Sequence, residues 1–85
     1  MHTFKIVYTE YNEVGALTDN TNCVYADTPE KARQEYDRLR NLYRTVIDPE
    51  TSEVKARYKM YKVELAVCAY KRIDDPAAFF AQFEI

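Results

Sequence analysis

Residues 54–73, VKARYKMYKVELAVCAYKRI, decide how this chain folds. The first part interleaves Lys55, Arg57, Lys59 and Lys62 with Tyr58, Met60 and Tyr61, whereas every position from 65 to 70 is apolar. A run that is wet at one end and dry on both faces at the other is expected of an element passing from surface to interior. The apolar residues are first even-numbered (Val54, Ala56, Tyr58, Met60) and then odd-numbered (Tyr61, Val63, Leu65, Val67, Ala69). The phase flips at 60–61, where no Gly, Pro, Asn or Asp stands to make a tight turn. One long strand carrying a β-bulge is therefore the economical reading. A helix is the rival, because Val54, Tyr58, Tyr61, Leu65 and Cys68 also fit a helical stripe. The alternation of YKVELAV over 61–67 and its wealth of Tyr and Val favour the strand.

Working outward, residues 2–11 alternate Phe4, Ile6 and Tyr8 with Thr3, Lys5, Val7 and Thr9, the pattern of a strand with one face on a core. Residues 12–20 gather Asn, Glu, Asp, Thr and the sole glycine, Gly15, and read as a long loop; TNCVYA at 21–26 then returns as a second short strand. Asp27-Thr28-Pro29-Glu30 is a helix start: a side chain to accept first-turn N–H groups, Pro at the first helical position, and acid at the positive end of the dipole. Ala32, Tyr36, Leu39, Tyr43 and Val46 follow at helical spacing, so the helix is expected to run until Asp48-Pro49 stops it. The alternative is that 44–47 already form a strand, with DPETSE at 48–53 as a hairpin tip. Asp74-Asp75-Pro76 repeats the helix-start signature ahead of Phe79, Phe80 and Phe83. The expected fold is α+β: an antiparallel sheet of about three strands in ββαβ order, arranged 2-1-3, with one amphipathic helix on one face and a short C-terminal helix. Because 65–70 is apolar toward both faces, the second face there should be covered by the Phe segment, another copy or a different protein.

Residues 1–85 are expected to form a single domain with a thin core, since a chain this short buries only roughly 60–65% of its unfolded surface. Twelve basic and fourteen acidic residues give a net charge of −2, too balanced for a nonspecific nucleic-acid binder. There is no apolar run of about 20 residues and no leader-like apolar core in MHTFKIVYTE, so a soluble, cytoplasmic protein without membrane contact is the expectation. Cys23 and Cys68 read as small buried apolar residues, with a disulfide between neighbouring strands as the alternative.

Catalysis finds little to work with. His2 is the only histidine, which leaves no Ser-His or Cys-His pair and no histidine-based metal cluster. One glycine provides no phosphate-cradling loop, and Asp48, Glu50 and Glu53 lack the glycine and bidentate final acid of a calcium loop. No enzyme activity, cofactor or metal is expected. The residues that do stand out are Arg57, Tyr58, Lys59, Tyr61, Lys62, Tyr70 and Arg72. They combine the aromatic anchors and arginines enriched at protein interfaces with a cationic rim suited to an acidic partner. The basic-aromatic segment 55–62 alternatively suits single-stranded nucleic acid, although on a strand Lys55, Arg57 and Lys59 face away from Tyr58 and Met60. A homodimer is the third use of such a surface. In size and style the chain resembles small accessory proteins carried by bacteriophages and other mobile elements, including inhibitors of bacterial defence systems. That resemblance carries no motif and no site residue. It implies a domain that works by occupying a surface on a larger host complex.

Overall fold

The alternation at the start of the chain builds β1 (Phe4–Tyr11), which sits second in a four-stranded antiparallel sheet. The structure, a computed structural model, describes residues 3–68 and 71–83. β2 (Leu17–Ala26) returns beside β1, with Phe4 opposite Ala26 and Ile6 opposite Val24. Helix α1 (Pro29–Arg40) follows, then a hairpin of β3 (Tyr43–Ile47) and β4 (Val54–Lys59). β5 (Tyr61–Val67) pairs with the other side of β1, β6 (Lys71–Ile73) closes the edge, and α2 (Pro76–Ala81) ends the described elements. The main sheet has the order β2-β1-β5-β6; β3 and β4 form a separate two-stranded sheet.

The fold is therefore α+β with antiparallel sheets and two helices, but it holds more strand than the ββαβ reading allowed. The expected 2-1-3 order survives as β2-β1-β5, with β6 added outside it. The expected long third strand is divided at Met60 and ends at Val67. The 12–20 loop shrinks to a tight turn at 12–16. Asn12 Oδ1 accepts the N–H groups of Val14 and Ala16 at 3.0 and 2.9 Å, and Gly15 takes a positive φ of 82°.

The helix also differs from expectation, stopping at Arg40 rather than running on to Asp48. Asn41 caps it, its N–H donating to the Asp37 carbonyl at 3.0 Å. Thr45, Val46 and Ile47 are consecutive β-branched residues, stiff at χ1 and suited to a strand, and VKARYK supplies the partner. The alternative hairpin reading of 44–53 is the one the chain adopts. At its tip, Asp48 Oδ1 accepts the Glu50 N–H at 2.8 Å.

Antiparallel pairing places Phe4, Ile6 and Tyr8 on the same sheet face as Val67, Leu65 and Val63. Across that face α1 lays Ala32, Tyr36 and Leu39, all buried. The C-terminal aromatics close the same side: the Phe79 ring stands 6.0 Å from Phe4, and Phe80 lies 5.8 Å from Tyr36. They do not cover the second face, as one expectation had it. That face presents Lys5, Val7 and Thr9 beside Tyr25, Cys23, Thr21, Ala66, Glu64 and Lys62, a polar mixture that does not require a lid. Cys23 and Cys68 are free and exposed, neither buried nor paired, because Cys23 faces this open side and Cys68 occupies a turn at φ 54°.

Thr28 caps α1, its side chain accepting the Lys31 N–H at 3.2 Å, with Pro29 at the first helical position. Thr28→Ala is expected to cost about 1 kcal/mol, seen as a lower urea midpoint with an unchanged slope. An unchanged midpoint would show that the cap contributes nothing.

Candidate protein-interaction site

Met60 is where the long strand changes partner. Its N–H donates to the Leu42 carbonyl at 3.2 Å, and its own carbonyl accepts the Tyr11 N–H at 2.8 Å. β4 below it pairs with β3 and β5 above it pairs with β1, so the 43–59 hairpin continues the axis of the main sheet beyond the helix-covered core. The molecule is accordingly long, with extents of 50 × 32 × 19 Å and a radius of gyration of 15.3 Å. A compact chain of this length would have a radius of gyration of about 12 Å.

Among the described residues, α1 packs on β1, β2 and β5, and no helix lies across this hairpin. Its register pairs Tyr43 with Lys59, Arg44 with Tyr58, Thr45 with Arg57 and Val46 with Ala56. One face therefore holds Arg44, Val46, Ala56 and Tyr58, and the other Tyr43, Thr45, Arg57 and Lys59. The Arg57 guanidinium stacks 5.1 Å from the centre of the Tyr43 ring. Five large apolar residues are exposed here: Tyr43, Val46, Ile47, Val54 and Tyr58, with Ile47 at 57% and Val54 at 58%. A two-stranded hairpin in water is marginal by itself. Arg44 helps to hold this one, its guanidinium 3.7 Å from the Glu10 carboxylate of β1. Charge divides along the arm: Arg44, Lys55, Arg57 and Lys59 lie on the strands, and Asp48, Glu50 and Glu53 at the tip.

The predicted residues separate into three places. Arg57, Tyr58 and Lys59 share β4 and stand together on the arm. Tyr61 belongs to the edge of the core, half-buried with its ring edge-on to Tyr8 at 5.0 Å. Lys62 and Arg72 lie on the open face of the main sheet, both turned to Glu64, at 3.2 and 4.0 Å. Tyr70 lies outside the described residues, as does His2. The spacing of Tyr43 and Val46 places them on a helix, and Ile47 falls within the same expected helix, so none of the three stands out in the sequence. The β-branched run at 45–47 was the signal that could have found them.

A shallow depression on the open face is lined by Lys5, Val7, Thr21, Asn22 and Cys23. Tyr25 borders it. The neighbouring Cys23, first through a side-chain hydrogen bond and then through charge, raises the Tyr25 hydroxyl above its ordinary range. Among the described residues there is no cluster of His, Cys, Asp or Glu able to hold a metal ion, and no helix long and apolar enough to cross a membrane. No protein-family model matches the chain, and no curated protein or solved structure is significantly similar to it.

Proposed function

We propose that this chain is a small non-catalytic protein-binding module that uses the β3–β4 arm to occupy a surface on a larger complex. This is the mode of action of phage or mobile-element accessory proteins that inhibit or modulate a host complex. One observation carries the reading: exposed Tyr43, Val46, Ile47, Val54 and Tyr58 stand beside Arg57 and Lys59 on a projecting hairpin without a helix across it. Tyr and Arg are the side chains that most often anchor protein interfaces, and desolvating them against a partner provides most of the affinity. The strand cations would steer an acidic partner into place.

The stacking of Arg57 on Tyr43, with Lys59 on the same face, favours a second reading, single-stranded nucleic acid held by the basic-aromatic strand. The acidic tip and the net charge of −2 count against it. A tagged pull-down from cell extract, run with and without nuclease, separates the two. A stoichiometric protein that survives nuclease and is lost with Arg57→Glu is the expected result. A nuclease-sensitive bait would replace it with the nucleic-acid reading, and a bait that retains nothing would reject both.

A further inference from the structure

Every sheet edge offers unpaired backbone groups, and three of the four edges here carry a device that discourages pairing. β2 is polar along its middle (TDNTN, 18–22) and irregular in register near its start. β6 is three residues long and carries Lys71 and Arg72. The outer edge of β4 carries Lys55, Arg57 and Lys59, and its register shifts opposite Val46 and Ile47. β3, with the sequence YRTVI, has no lysine and no proline, and its one charge is turned to Glu10. It is also rich in residues that favour strands.

The hydrogen bond from the Met60 N–H to the Leu42 carbonyl fixes which way β3 points its backbone. Leu42, Arg44 and Val46 address β4, so Tyr43, Thr45 and Ile47 turn their N–H and C=O groups outward. We infer that this edge pairs with the same edge of a second copy, antiparallel about a two-fold axis at Thr45, joining two hairpins into one intermolecular sheet.

The choice of a second copy rests on charge. An antiparallel two-fold places each acidic tip (Asp48, Glu50, Glu53) beside the base of the other hairpin, where Lys59 and the α1 end at Arg40 lie, whereas a parallel arrangement would set like against like. In register, Thr45 meets Thr45 of the second copy and Tyr43 meets its Ile47, which brings the turn that holds Glu50 to the end where the other copy's α1 closes at Arg40. The apolar pair Tyr43–Ile47 covers two of the exposed side chains. The edge is used for the dimer, and the hairpin face that carries Val46 and Tyr58 stays open, so the inference goes beyond the proposed function without depending on it.

Sedimentation of the purified chain over a concentration series reaching the millimolar range tests this. The expected result is a reversible dimer that weakens with salt. Thr45→Pro removes an outward N–H while sparing every bond to β4, and Ile47→Lys adds the missing edge lysine. Either variant is expected to yield a monomer, with the main sheet verified by circular dichroism; should Thr45→Pro not fold, Ile47→Lys decides. Glu50→Arg or Arg40→Glu alone should weaken the dimer about three- to tenfold, and the two together should restore it. A chain that stays monomeric throughout, a dimer indifferent to both edge variants, or a double charge reversal no better than the single ones would overturn the inference. Tyr58→Ser should leave the dimer intact, which keeps this result separate from loss of an outside partner.

Discussion

Leu65→Ala is expected to leave the chain largely unfolded at temperatures where the parent is folded. Leu65 has no exposed surface and lies opposite Ile6, which has none either, at the centre of the face that α1 covers. Removing a buried leucine side chain costs about 2–5 kcal/mol, because the lost transfer energy is compounded by the cavity left behind. A domain of this length has only about 4–13 kcal/mol to lose, and a thin core places it toward the low end. Neighbours able to collapse into the space are few: β1 is pinned on both sides by ladders, and Tyr36 and Phe80 already pack on one another. Urea denaturation followed by circular dichroism measures the effect, with Val14→Ala at an 87% exposed position as the control that should barely move. A shift below about 1 kcal/mol for Leu65→Ala would mean that the sheet–helix interface is not the core.

Tyr58 and Tyr61 are three positions apart in sequence and are expected to respond in opposite ways. Tyr61→Ser removes a half-buried ring and its edge-on contact with Tyr8, and should destabilise the fold by about 2–3 kcal/mol. Tyr58 is exposed on the arm, so Tyr58→Ser should change stability by no more than about 1 kcal/mol. Its effect is expected in affinity for the captured partner: a loss of about 2 kcal/mol, or roughly thirtyfold, as an anchoring tyrosine at the centre of an interface gives. Thermal melts and titration calorimetry with the partner read the two quantities separately. If Tyr58→Ser melts the domain, or leaves binding untouched, the arm is not the site proposed for it.

Local chemistry was legible wherever a residue acts on its own neighbours. The two Pro-containing helix starts, the alternation in β1 and the phase change at Met60 are all read within a few positions. What was not legible depended on choosing between two periods. Tyr43 and Val46 continue the spacing of Ala32, Tyr36 and Leu39 closely enough to extend a helix, and only the β-branched run at 45–47 with a partner strand at 54–59 tips the balance. That partner is a tertiary fact. The same error hid half of the candidate site, since a helical Tyr43 cannot meet Arg57. Apolar content was also a poor guide to surface. Ala66 and Cys68 made the end of the long strand look dry on both sides, yet Lys5, Tyr25 and Glu64 supply most of that second face.

The backbone of Met60 has a mechanical meaning as well. With its N–H tied to one sheet and its carbonyl to the other, it transmits load from the hairpin into β1 and β5 along the strand axis, as the root of a cantilever does. A limb that hung from a slack linker would have to be immobilised on every encounter, at about 1–2 kcal/mol for each residue ordered. This one arrives already aimed. Whatever docks on the arm, a second copy or a foreign surface, gains from that attachment, and the Tyr11 amide, which donates to the Met60 carbonyl, becomes its natural reporter: its hydrogen-exchange rate gauges how often the arm comes loose from the body.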